Sequence, residues 1–280
     1  MSAAAVLPGR GARQPGWSAD LGSRIATLWR SDAVRLGSLA GFLILWQLSG
    51  FVLDPILIST PSSIVVGFFQ IMADGSLESA FLQSLGDMII GFGLSSVLGI
   101  CLGVFMGRYT SWEAVFGPYV SVMNATPTIA LLPLMIMWFG FGLWGRVAFI
   151  FVVSLWTLVI NTMVGMKSVK HGYVEAGLAF GLSERQILRM VVLPAAVPYI
   201  LAGMRIALAQ GVTGMILAGT ELSQSGLGDL LTTLGEYYET GQYMGALITT
   251  TFYAVLLFAA LRIVQRRWFR WIADSAGQQR

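Results

Sequence analysis

The sequence holds one cysteine, Cys101, and one histidine, His171. A single thiol rules out an intramolecular disulfide, and its place in an apolar stretch reads as packing. With no H-E-x-x-H, no cysteine pair and one imidazole, metal-site and histidine-based catalytic readings have no material to work with. No catalytic residue, metal ligand or cofactor is expected. A phosphate-cradling G-x-x-x-x-G-K-[ST] loop is missing too, since neither Lys167 nor Lys170 follows a glycine. Charge is scarce: Asp, Glu, Lys and Arg make up 11% of the 280 residues, too little to clothe a soluble globule of this size. The first 32 residues lack the apolar core of a signal peptide, because Arg10, Pro15, Asp20 and Arg24 interrupt them. They are expected to remain in the mature chain.

Apolar residues are abundant, at 56% of the chain, and the mean hydropathy is +0.74. A spanning helix needs about 20 mainly apolar residues. Windows of that kind run over 34–53, 81–106, 119–139, 147–166, 199–220 and 244–264. The expected fold is therefore all-α: a polytopic membrane protein with six transmembrane helices, whose even count puts both termini on one side. Basic residues choose the side. Arg10, Arg13, Arg24, Arg30 and Arg35 precede the first window, Arg108 follows the second, Lys167, Lys170, Arg185 and Arg189 follow the fourth, and Arg262, Arg266, Arg267, Arg270 and Arg280 close the chain. These regions are assigned to the cytoplasm. The alternate loops carry Asp54, Asp74, Glu78, Asp229, Glu236 and Glu239, with Arg146 as their one basic exception.

The organisation read from this pattern is a cytoplasmic tail over 1–32, a membrane domain over 33–272 and a second cytoplasmic tail over 273–280. In the first tail Leu21, Ile25, Leu28 and Trp29 recur at helical spacing beside Arg24 and Arg30. That pattern fits a short helix lying on the membrane surface, and a disordered basic tail is the alternative. The segment 223–243 is too polar and glycine-punctuated to span, and reads as a re-entrant or surface helix on the outer face. Gly99, Gly103 and Gly107 fall four apart, as do Gly37 and Gly41, a spacing that lets helices approach closely and carries no functional weight alone.

The stretch EAGLAFGLSERQILRMVVLP, residues 175–194, is a half-polar island between two apolar windows. Ser183 to Gln186 fits a capping box, so a helix should start there and run until Pro194 ends or bends it. Upstream, 173–180 fits a separate short helix stopped at Gly181, a residue that tolerates left-handed backbone. The expectation is helix, turn, helix, with Leu178, Phe180 and Leu182 as an apolar surface suited to a groove on another protein. A plain connecting loop is the alternative.

Glu175-Ala176-Gly177, then Gly181, Val191 and Leu193-Pro194, resemble the EAA signature of permease subunits of ATP-binding-cassette (ABC) importers. Gly177 stands where the signature has its second alanine, and Val191 where it has isoleucine. The stretches 130–142 and 225–231 are similar to those of the nitrate, taurine, alkanesulfonate and bicarbonate permease group. The resemblance covers 34–271. It implies the type I importer permease fold, a homodimer with one translocation pathway, an inner-membrane location, and no ATPase activity in this chain. It also implies three kinds of partner: a cytoplasmic ATPase dimer, a second copy of the chain and an extracytoplasmic solute-binding protein. The implied solute is a small anion such as a sulfonate, taurine, nitrate or bicarbonate, or a compact organic acid. Its coupling helix would be formed by Glu175, Ala176, Gly177, Phe180, Gly181, Leu182, Ser183 and Glu184. A self-sufficient secondary transporter or channel is the competing class.

A transient hydrophilic path must offer hydrogen bonds without a costly fixed charge, which favours Asn124, Thr126, Thr128, Thr157 and Asn161 as pathway residues. Each also fits simple bonding to a neighbouring helix. Glu221, at the outer end of the fifth window, fits a cap or a gate. Arg205 reads as an anchor near the cytoplasmic interface. Asp87 reads as interfacial, because the 19 residues after it already span the apolar layer.

Overall fold

The computed structural model describes residues 17–52, 54, 58–222 and 225–268, with backbone alone for 17–32 and 268. The expected tail 273–280, and the side chains of the expected interfacial helix, lie outside the described residues. Every regular element described is helical: α1 (Trp17–Ser49), α2 (Pro61–Ala73), α3 (Ser76–Arg108), α4 (Thr110–Ala125), a 3-10 turn (Thr128–Leu131), α5 (Leu132–Phe139), α6 (Leu143–Lys167), α7 (His171–Ala179), α8 (Glu184–Ile187), a π turn (Leu188–Val192), α9 (Leu193–Glu221), α10 (Gly226–Glu236) and α11 (Thr240–Trp268). The chain divides into two units, Met1–Ser62 and Ser63–Arg280.

In the first unit α1 is continuous through 32–33, and its apolar part, Ala33–Ser49, leaves Leu36, Phe42 and Leu45 exposed, as lipid-facing side chains would be. Trp46 Nε1 donates to the Ser59 carbonyl at 2.9 Å, and Gln47 Nε2 donates to Ser62 Oγ at 2.9 Å. These bonds fix the turn that follows the helix.

The second unit is built on α3, α6 and α9. α3 presents Gly91, Ser95, Gly99 and Gly103 at four-residue spacing, all buried. A Cβ on Gly99 would stand 2.8 Å from Leu158 Cβ, and one on Gly103 2.6 Å from Thr162 Cβ. The stripe therefore lets α3 lie backbone-close along α6, where dispersion contacts replace the hydrophobic effect that lipid cannot supply. α9 uses the same device, since a Cβ on Gly203 would meet Asn161 of α6.

Four helices are long and apolar enough to cross a membrane: those over Ser76–Arg108, Leu143–Lys167, Glu184–Glu221 and Thr240–Arg267. The expected straight span over 119–139 is instead a broken pair, Thr110–Ala125 and Thr128–Phe139, bent by 103°. Pro127 is the cause. It offers no N–H, and it forces the preceding Thr126 into extended backbone (φ −70°, ψ 128°), which ends α4. α2 is an apolar helix that the six windows did not include. At Pro194 the expected stop does not occur. The π turn over Leu188–Val192 shifts the hydrogen-bond register, Pro194 falls in the first turn of α9, and the run from Glu184 to Glu221 continues for 38 residues.

Candidate functional site

The loop between α6 and α9 folds as helix, turn, helix. Gly181 has φ +75° and closes α7, while the Ser183 N–H donates to Gln186 Oε1 at 2.8 Å in the capping box that opens α8. The inner face is anchored: Ile187 and Val192 pack with Met166, Ala196 and Ile200, and Leu182 lies against that cluster. Gly177 is buried there, because a Cβ would stand 3.2 Å from Ile187 Cγ1. Arg108 at the end of α3 pairs with Glu184 at 2.9 Å, and His171 lies 3.0 Å from Glu175 one turn on. Lys167 at the end of α6 pairs with Glu113 of α4. The outer face is bare. Phe180 is 87% exposed, and Leu178 and Tyr173 are exposed beside it, with Glu175, Ala176 and Ser183 also open to solvent. A rigid apolar tip on a buttressed loop is a surface made to be covered.

The sequence-derived pathway residues fall into three places. Thr157 and Asn161 sit on α6 facing α9, where Thr157 Oγ1 donates to Gln210 Oε1 at 2.5 Å and Asn161 Nδ2 donates to the Thr157 carbonyl at 2.8 Å. Asn124, Thr126 and Thr128 lie at the α4–α5 bend, and Thr126 Oγ1 donates back to the Val122 carbonyl at 2.8 Å. None of the hydrogen bonds among the described residues joins these two groups. Gln210 was not expected. Its signal was a lone amide on an otherwise apolar helix.

Glu221 lies with neither group. It opens onto a cleft of about 840 Å³ with Thr220, Asp229, Thr232, Thr233 and Glu236, between the end of α9 and α10. Asp229 sits above its ordinary value of 3.8, first because burial penalises its charge and second because Glu236 is near. The expected surface or re-entrant helix is α10, laid onto α9 so closely that a Cβ on Gly219 would stand 2.9 Å from Gly228 Cα.

Asp87 is a correction. It is 3% exposed, not interfacial, and meets Arg146 of α6 at 2.5 Å and 3.3 Å through the two carboxylate oxygens. Arg146 is 7% exposed and so is no outer-loop charge. Charge-assisted, fork-to-fork geometry of this kind is what permits two charges inside an apolar layer. Arg205 keeps a bond expected of an anchor, with Nε donating to Gln265 Oε1 of α11 at 3.0 Å.

Packed apolar helices, polar groups held between them, and an apolar loop tip presented for a partner define a membrane transport subunit. The chain belongs to the family described as binding-protein-dependent transport system inner membrane component, whose model matches residues 95–274. It is 27% identical over 251 residues to the taurine transport system permease protein TauC of Escherichia coli strain K12, covering 87% of this chain and 91% of that one. It is 29% identical to the putative aliphatic sulfonates transport permease protein SsuC of the same organism, covering 82% and 89%. The riboflavin transport system permease protein RibX of Chloroflexus aurantiacus is 28% identical, covering 90% and 96%. Among solved structures, an inward-facing methionine ABC transporter, MetNI, matches with TM-score 0.57 at 20% identity, covering 68% of this chain and 93% of that one. The fold is thus that of ABC importer permeases, and the chain is an inner-membrane transport subunit, not an enzyme. ATP hydrolysis belongs to a separate subunit.

Proposed function

We propose that two copies of this chain form one translocation pathway, and that the loop carrying α7 and α8 seats in a cleft of a cytoplasmic ATPase dimer. The observation that carries this reading is the exposed apolar tip, Phe180 with Leu178, on a loop whose other face is locked by Gly177, Leu182 and Ile187. A locked loop transmits force, because it cannot absorb the ATPase's motion by bending. Glu175, Ala176, Gly181, Ser183 and Glu184 complete the coupling helix and its turn. The membrane domain runs over 33–272, flanked by cytoplasmic tails at 1–32 and 273–280, and a solute-binding protein delivers solute at the outer face.

Thr157, Asn161, Asn124, Thr126 and Thr128 line the pathway, with Glu221 at its outer mouth. The solute belongs to the sulfonate and taurine range that relatives' names suggest. Within that range, a mouth holding Glu221, Asp229 and Glu236 favours an ammonium-bearing solute such as taurine over a bare anion such as nitrate, by simple charge attraction.

The test replaces Phe180 with Asp and measures co-purification with the ATPase subunit alongside thermal melting of the permease. Loss of co-purification with unchanged melting is expected, since Phe180 touches no core cluster. Retained co-purification and retained transport would remove the coupling role.

A further inference from the structure

The first turn of α10 is held in an unusual way. Ser225 occupies its N-cap position in extended backbone (φ −167°), yet its hydroxyl makes no cap to α10. Arg146 Nη1 donates to that hydroxyl at 2.8 Å. The backbone N–H of Leu227 is instead accepted by Ser84 Oγ of α3 at 2.9 Å. The start of α10 is therefore tied to α3 and α6, while the helix body rests on α9 through Gly228 and Gly219.

Arg146 uses its Nε and Nη2 on Asp87 and its Nη1 on Ser225. A buried ion pair gains little net stability over apolar side chains of similar volume, because desolvation offsets the attraction. What the fork supplies is direction: a planar donor set fixed by Asp87 points its remaining edge at one hydroxyl. That hydroxyl begins the helix whose later residues, Asp229, Thr233 and Glu236, wall the outer cleft.

We infer that Arg146 is a positioning residue for transport, which, with Asp87 as counter-charge, latches the start of α10 and so one wall of the outer cleft to the α3–α6 pair. The functional half of this inference rests on the importer reading; the mechanical half does not.

The test uses the full chain with Cys101→Ser and a nitroxide placed through Thr233→Cys, read by electron paramagnetic resonance. The complex with its ATPase and binding protein is assayed in proteoliposomes in parallel. Ser225→Ala removes only the outer contact, so the melting temperature should hold while the nitroxide spectrum becomes more mobile. The ratio of binding-protein-stimulated to basal ATP hydrolysis should fall about tenfold, as expected for losing one charge-assisted hydrogen bond. Arg146→Lys keeps the charge without the fork and should give the same loss of immobilisation at near-native melting. Asp87→Asn with Arg146→Gln, which leaves no buried charge unpaired, should melt close to the parent and reproduce the Ser225→Ala spectrum. Parental spectra in all three variants would overturn the latch. If the parent complex shows no binding-protein-stimulated hydrolysis, the importer reading falls instead, and the spectra still decide the latch.

Discussion

Asp87 and Arg146 show how a residue's role depends on a partner far away in sequence, here 59 positions. Counting residues put Asp87 at the membrane edge, because the helix was started after it. α3 starts at Ser76, which carries Asp87 inward and leaves it needing a cation. The hint lay in two matching exceptions: one acid inside an apolar window and one base in otherwise acidic outer loops. The coupling-loop residues were legible, since capping and left-handed glycine are local chemistry. At this scale Asp229 yields a pH prediction. Its folded value is raised, so the stability it contributes is fully present below its ordinary 3.8 and lost as pH rises through the raised value. Asp229→Asn should melt higher than the parent above that window and match it below, in thermal scans across pH. Asp74, held low by the hydroxyl and N–H of Ser76, has the opposite sign: its contribution is lost as pH falls.

Among the elements, α3 carries the packing argument. Its glycine stripe was visible in the sequence without a partner, and the structure supplies α6. Gly103→Leu should lower stability by about 1–3 kcal/mol through overpacking against Thr162. Gly93→Leu, on the same helix with nothing within 4 Å of a Cβ, should shift melting by no more than about 0.5 kcal/mol. Comparing the two in one detergent checks the interface. The bend after α4 was missed because hydropathy is blind to Pro127, which leaves composition apolar while breaking the backbone ladder. The continuous run through Pro194 was missed for the converse reason: a π turn absorbed what proline usually interrupts. At the loop, Gly181→Val should cost about 1–2 kcal/mol, because φ +75° is strained for a branched side chain. Weakened ATPase co-purification with intact membrane insertion is the result to look for.

For the whole molecule, the alternation of basic and acidic loops makes a directional prediction. In a Cys101→Ser background, a cysteine at Ser79 should react with an impermeant maleimide from outside intact cells. One at Ser168 should react only after the membrane is permeabilised, and the reverse pattern would invert the assignment. By itself the sequence determined the environment, the helical class, the coupling loop and the family, because each rests on composition or on contacts within a few residues. Only the tertiary structure decided where the buried charges meet, which face of α3 is the seam, that Thr157 bonds Gln210 and that Glu221 opens onto an acidic cleft. Those facts depend on which helices become neighbours, and apolar helices in lipid choose neighbours by shape and by rare polar pairs, neither of which a periodicity records.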